Sequence, residues 1–199
     1  VLFRSLYPPV DTLKFFPGNS KENFYVCACR LVPYKRVDLV LEAFKGMPDK
    51  QLVIIGDGPE FAALSADLPR NVKMLGWQPM DVLLDHLRRA RAFVFAGEED
   101  FGILPVEAQA CGTPVIAYDQ GGLAETVKNI DQDKPTGILF SQQSSLAISQ
   151  AILCFEANDV MFTADNAVAN AARFSEERFR SELMASVSKV WSKFVENAG

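Results

Sequence analysis

Two groups of residues in this chain have types and spacings that could do chemistry. The first is RLVPYKR, Arg30 to Arg36, in which three cations follow an apolar run and lead into a helical pattern. Free backbone N–H groups at a helix start favour an anion, and cations there oppose the helix dipole unless an anion or nearby acids offset them. The placement predicts a phosphate-binding loop built on Arg30 and Lys35; the plain alternative is a solvated charged loop. The second group is GEEDFGILPVEAQACGTPV, Gly97 to Val115, where Glu107 follows Glu99 by eight positions. Gly102 lets the backbone approach a ligand closely. The N–H groups of Gly102, Ile103 and Leu104 can converge on an anion. Carboxylates cannot bind that anion, but they can flank it and accept hydrogen bonds from neutral hydroxyls. A ligand with hydroxyls, a diphosphate and more hydroxyls is a nucleotide sugar. Here the plain alternative is a solvated loop at Glu98 to Asp100 and a Glu107 favoured by the helix dipole alone.

Other loops carry weaker signals. Gly56-Asp57-Gly58-Pro59-Glu60 is not G-x-G-x-x-G and lacks the acid that ends the next strand of a dinucleotide site, so a tight turn is expected. Gly76-Trp77-Gln78-Pro79 could offer backbone polar groups and an edge for a flat base, or Trp77 could simply pack. Gly121-Gly122 again permits close backbone approach, or a plain turn. His86, the only histidine, sits mid-helix in DVLLDHLRRA and is expected to pack or face solvent. The chain therefore offers no histidine well placed as a general base, no Ser-His-Asp set and no metal cluster.

The elements that must position these residues alternate regularly. Apolar runs at 24–29, 51–56, 72–75, 92–96, 114–118 and 137–140 predict six strands. Between them lie helical patterns, including Val37, Val40, Leu41 and Phe44 at helical spacing, Met80 to Arg89, and LPVEAQACG. Pro59 and Pro105 are expected to open helices, and Gly112 to stop one. Glu99 then falls in a loop and Glu107 in a first turn. Continuous apolar strands separated by helices predict an α/β, Rossmann-like, doubly wound parallel sheet covered on both faces. In such sheets ligands lie beyond the carboxyl ends of the strands, where all these loops fall. From Gln143 the tail reads as helices, with Ser175 capping the last.

Composition narrows the classes. The 199 residues suit one sizeable domain, and 49% hydrophobic content can build its core. A net charge of −5 argues against a nucleic-acid partner, which needs a basic face. No apolar run approaches the ~20 residues of a transmembrane segment, and VLFRSLYPPVDTLKFFPG lacks a secretory h-region. Cys27, Cys29, Cys111 and Cys154 fit neither zinc nor redox CxxC spacing; reduced packing cysteines in a cytoplasmic protein are expected. Residues 1–22, with Pro8, Pro9 and Pro17, read as an extended linker outside the core, followed by one domain over 23–199.

RLVPYK, GDGPE, LGW and EEDFGILPVEAQACGTPVIAYDQGGLAETV together resemble the retaining nucleotide-sugar glycosyltransferases of family 4, also called group 1, of GT-B architecture. The resemblance covers nearly the whole chain, and its E-x7-E segment is highly specific. It implies the C-terminal, donor-binding domain, with YPPVDTLKF at the segment where the chain enters it. The acceptor-binding N-terminal domain would lie upstream. By resemblance Arg30 and Lys35 hold the donor diphosphate, so no metal or other cofactor is expected. Glu99 orients hydroxyls of the transferred sugar, Glu107 binds the ribose, and the N–H groups at Gly102, Ile103 and Leu104 meet phosphate and sugar, with Gly76 in the nucleotide site. Glu99, Arg30 and Lys35 would serve catalysis. The implied reaction is hexosyl transfer from a GDP- or UDP-linked sugar to a glycan or lipid-linked acceptor. Many relatives carry glycine where this chain has Asp100, and the EDFGI-x-P form is similar to bacterial mannosyltransferases that build surface polysaccharides, pointing to GDP-mannose. Two alternatives stay open: half of a GT-B sugar-nucleotide epimerase, and a non-catalytic nucleotide-binding module.

Overall fold

A computed structural model describes residues 6–198. Six parallel strands form one sheet in the order β3-β2-β1-β4-β5-β6. They are β1 (Phe24–Ala28), β2 (Gln51–Ile55), β3 (Val72–Met74), β4 (Ala92–Phe95), β5 (Val115–Tyr118) and β6 (Gly137–Phe140). Every pairing between them is parallel, which requires a crossover for each connection. Six helices of the crossovers and tail are α1 (Val37–Lys45), α2 (Phe61–Ser65), α3 (Met80–Arg89), α4 (Ile103–Ala110), α5 (Leu123–Thr126) and α6 (Ser145–Ala157). Two more follow, α7 (Ala164–Ala171) and α8 (Glu176–Ala198).

Alternation along each strand divides the core between the two faces. Tyr25, Cys27, Val94, Ile116 and Ile138 point to one side, where Val40 and Phe44 of α1 and Ile148 and Ile152 of α6 cover them. Val26, Ala28, Phe93, Phe95 and Val115 point to the other, under Leu87 of α3 and Val106 and Ala110 of α4. Both faces are thus dry, which is why the strands carry no polar alternation.

Two expectations need correction. The segment read as a linker outside the core is partly core: Val10 and Phe15 are 1% and 2% exposed. Val10 donates its N–H to the Phe174 carbonyl at 2.8 Å and bridges Ser175, so entry and tail are joined. The prolines and polar residues around them masked two apolar anchors. Residues 1–5 and Gly199 of the spans read from the sequence lie outside the described residues. Pro59 precedes α2 by two residues instead of opening it.

Ser175 caps α8 as expected, its hydroxyl accepting the Arg178 N–H at 3.3 Å. Beyond that turn α8 carries an apolar stripe with little cover: Met184, Val190, Trp191 and Phe194 are all more than half exposed. No helix among the described residues is long and apolar enough to cross a membrane.

Candidate functional site

The sheet order sets the site. β1 and β4 are neighbours, with Tyr25 beside Ala92 and Val26 beside Phe93, so the loops after them open side by side. Strand order reverses at this pair: the chain moves outward from β1 to β3, then returns to β4. A cleft at that switch point is where open α/β sheets take ligands.

The loop after β1 is fixed from below. Leu31 donates to the Asp57 carbonyl at 2.9 Å, and Glu60 donates to the Leu31 carbonyl at 3.2 Å. A single helical turn over Pro33–Lys35 then leads to Arg36, whose φ of 53° lies in the left-handed region. The three cations have different fates. Arg36 places Nε and a terminal nitrogen on the two Asp38 oxygens, both at 3.0 Å, which resolves its misplacement at the start of α1. Lys35 forms an ion pair with Glu99, and its Nζ lies 4.7 Å from the Tyr34 ring centre and 5.5 Å from that of Phe95. Arg30 is exposed and has no carboxylate partner among the described residues.

Helix α4 begins at Ile103, two residues before Pro105, with Gly102 as its cap at φ 84°. The expectation that Pro105 opens the helix is therefore corrected. Proline lacks only an N–H, and no first-turn residue has an intrahelical acceptor, so it fits the third position as well as the first. Gly102, Ile103 and Leu104 keep their predicted place at the helix mouth, whereas Glu107 moves from the first turn to the second.

The glycine pair Gly121-Gly122 serves the protein itself. Gly122 donates to the Glu99 carbonyl at 2.7 Å. A Cβ at Gly122 would stand 2.3 Å from the Phe101 Cα, and one at Gly121 would stand 2.3 Å from the Glu99 oxygen. The close backbone approach read from the sequence is made to the Glu99 loop, which it pins in place.

These elements surround two adjoining hollows. One, about 410 Å³, is lined by Arg30, Tyr34, Lys35, Glu99 and the α4 mouth, Gly102 to Pro105. The other, about 550 Å³, is lined by Arg30, Gly56, Asp57, Trp77, Gln78 and Leu83. Ala28, Cys29, Arg30 and Leu104 belong to both, so the hollows meet at the end of β1. Their sizes suit small-molecule ligands. Trp77 is 72% exposed, a ring on the rim instead of in the core.

Two predicted residues stand apart. Glu107 lines neither hollow. It lies one turn further along α4, where burial pushes its carboxyl up to about 7; Lys14 pulls it down in part and Asp11 adds to the rise. Gly76 also lines neither, but its carbonyl accepts the Gly56 N–H at 2.9 Å and sets up Trp77 and Gln78. Residues to which the sequence reading gave no ligand-binding role of their own also line the site: Cys29, Asp57 and Gln78 among the polar ones, Tyr34, Phe95 and Phe101 among the aromatic. Their position at or just after the ends of β1, β2, β3 and β4 was the available signal. His86 lies away from both hollows, its Nδ1 2.7 Å from the Val82 carbonyl and its ring against Phe24. No cluster of metal-ligating side chains occurs among the described residues.

Comparison with known proteins adds a family to this geometry. Residues 11–174 match the model for glycosyl transferases group 1. A GDP-mannose-dependent monoacylated alpha-(1-6)-phosphatidylinositol monomannoside mannosyltransferase of Corynebacterium glutamicum is 37% identical over 154 residues, 63% of this chain and 40% of that relative. Among solved structures, sucrose-phosphate synthase from Thermosynechococcus elongatus superposes with a TM-score of 0.79 at 23% identity, covering 94% of this chain and 52% of that one. An Anabaena protein in complex with UDP and glucose gives 0.71 at 21% identity, covering 90% and 55%. The chain thus spans about half, or less, of the proteins it matches.

Proposed function

The chain belongs to the glycosyl transferases group 1, and from that premise we propose that it is the donor-binding part of a hexosyltransferase that uses a nucleotide-diphosphate sugar. The observation that carries this reading is the shared hollow: Arg30, Lys35, Glu99 and the α4 mouth line one space, which continues toward Trp77 and Gln78. In this reading the diphosphate lies at the junction, against Arg30, Lys35 and the N–H groups of Gly102, Ile103 and Leu104. Two cations and a helix start stabilise the charge that develops as the nucleoside diphosphate leaves, so the reading calls for no divalent metal. Glu99 accepts hydroxyls of the sugar beside the anomeric carbon and stabilises its developing positive charge, in a transfer that retains configuration. The base takes the second hollow, with the Trp77 face as its platform; Glu107, which lines neither hollow, is assigned to the ribose on the family resemblance alone. The Corynebacterium relative's GDP-mannose dependence supports GDP as the nucleotide and mannose as the sugar. The acceptor, a glycan or lipid-linked molecule, is supplied through the part of the relatives that this chain does not span.

The test is a thermal melt of this chain with GDP, UDP, ADP and dTDP in chelator-containing buffer. Ligand at ~100 times its dissociation constant stabilises by about 2.7 kcal/mol, a rise of about 5–10 °C at this size. GDP is expected to give the largest rise, with no sugar transfer by the chain alone. No movement with any of the four refutes the donor site, and movement only with added divalent metal refutes the metal-free reading.

A further inference from the structure

The hollow beside Trp77 is lined by two polar side chains that the proposed function leaves without a task, Asp57 and Gln78. They stand on the loops after β2 and β3, and backbone bonds lock those loops together. Leu75 donates to the Ile54 carbonyl at 2.9 Å, and Gly56 donates to the Gly76 carbonyl at 2.9 Å. Asp57 is also held from the β1 side, its carbonyl accepting the Leu31 N–H at 2.9 Å. A Cβ at Gly58 would stand 2.3 Å from the Leu31 oxygen, so the turn after Asp57 presses directly on the β1 loop.

Each of the two side chains has one end engaged by the protein and one end open. Asp57 Oδ1 accepts the Gly58 N–H at 2.7 Å, while its Oδ2 has no partner among the described residues. A carboxylate accepts only, and each oxygen carries two lone pairs, so Oδ1 keeps room for a further donor. Gln78 Nε2 donates to the Leu75 carbonyl at 2.7 Å. A carbonyl can only accept, so this contact dictates which way the amide is turned, and Gln78 Oε1 is left as the open acceptor. The backbone N–H groups of Trp77 and Gln78 have no acceptor among the described residues. They suit a base carbonyl, O6 of guanine or O4 of uracil alike, and so bind without choosing. The choice falls to the side-chain acceptors.

Nucleobases differ in the donors on their pairing edge. Guanine carries N1–H and the N2 amino group side by side. Uracil and thymine carry a single N3–H between two carbonyls. Adenine and cytosine carry one amino group beside a bare ring nitrogen. Only guanine gives both oxygens of a carboxylate a hydrogen; with the others one oxygen faces a lone pair. We propose that Asp57 selects the donor's base, its carboxylate accepting N1–H and N2–H of a guanine that lies on Trp77, with Gln78 Oε1 as a further acceptor beside them. This deepens the donor-site reading above and rests on it. A base that leaves these acceptors unpaired forfeits their hydration without replacement, which is how a site built for a hydrogen bond rejects the analogue that lacks it.

The experiment measures, by calorimetry, binding of GDP, inosine diphosphate, xanthosine diphosphate and UDP to this chain and to Asp57→Asn. Inosine diphosphate lacks only the amino group of GDP, and xanthosine diphosphate has a carbonyl oxygen in its place. The parent is expected to bind GDP about tenfold or more tighter than either analogue. Asparagine keeps an oxygen for the Gly58 N–H, so the turn survives, but it exchanges one acceptor for an amide donor. The variant should therefore lose about tenfold or more in GDP affinity and gain about tenfold for xanthosine diphosphate, with UDP changing little. That gain cannot come from a misfolded protein. Equal binding of GDP and inosine diphosphate by the parent overturns the proposal. So does a loss in the variant shared by all four ligands, or an unchanged ranking with GDP still bound; either outcome leaves the donor site standing. If the parent binds no diphosphate, the donor reading itself fails and the base assignment falls with it.

Discussion

Lys35 and Glu99 are ion-pair partners across the hollow, at 11% and 24% exposure. A diphosphate that takes the ammonium must therefore compete with the carboxylate. Glu99→Gln should then strengthen binding of the bare nucleoside diphosphate, by about threefold to tenfold for a partly buried pair of this kind. The same change should remove the extra affinity of the sugar-bearing donor. Calorimetry of GDP and GDP-mannose on both proteins checks this, and weaker GDP binding in the variant would count against the competition. Arg30, with no such partner among the described residues, should behave oppositely: Arg30→Ala should weaken GDP by about 1.5–3 kcal/mol. Glu107 titrates near neutrality because burial raises its carboxyl to about 7. Its folded value exceeds its unfolded one, so its contribution is fully present below the unfolded value of about 4.3 and is lost as pH rises through about 7. Glu107→Gln should consequently gain about 2 kcal/mol relative to the parent between pH 5 and pH 8, seen in denaturant melts at the two pH values. If ribose hydroxyls donate to the carboxylate, GDP binding near pH 6.5 should also release protons, measurable in buffers of different ionisation enthalpy. The sequence placed Arg30, Lys35 and Glu99 around one hollow because each follows a strand. It misplaced Glu107 because residue type and spacing do not say how far into a helix a proline sits.

At the scale of elements, the strand runs were readable because strands buried on both faces need no polar alternation. The start of α4 was not, since Pro105 fits several first-turn positions and the signal that fixes the start is the φ of 84° at Gly102. The partner of Gly121-Gly122 was hidden as well: a glycine pair announces close approach without saying to what. Here it is the Glu99 loop. Gly122 has an ordinary φ of −65°, so Gly122→Ala strains no backbone angle, and the nearest atoms its Cβ meets are the Phe101 and Asp100 backbone. The variant should lose about 1–3 kcal/mol through overpacking and should bind donor more weakly, because the Glu99 loop must move. A melt within about 0.5 kcal/mol of the parent with unchanged GDP-mannose affinity would show that the loop has room to give. A buried polar set backs α4 from the other side. Asn170 of α7 donates to Gln109 at 2.7 Å and to the Thr126 carbonyl at 2.7 Å. No sequence pattern announces that network, since its members lie on three helices.

For the molecule as a whole, charge and hydropathy set the class and the order of elements set the sheet, but the sequence reads α8 only as the last helix of the tail and does not single out its uncovered stripe. Val190, Trp191 and Phe194 lie on its exposed side, at 69%, 64% and 63% exposure. Serine at Trp191 and Phe194 should change the melting free energy by less than about 0.5 kcal/mol while reducing binding of a hydrophobic dye. A large loss of stability would mean the two rings pack in solution. The adjacency of β1 and β4 has a kinetic consequence. The cationic loop closes β1 near residue 30 and the carboxylate loop closes β4 near residue 99, and only the pairing of those two strands brings them together. That contact spans a long stretch of chain, so loop entropy must be overcome before either half of the hollow meets the other. In a refolding experiment helical signal should therefore return ahead of the ability to capture GDP. Ligand capture thus times the moment at which the middle of the sheet zips shut.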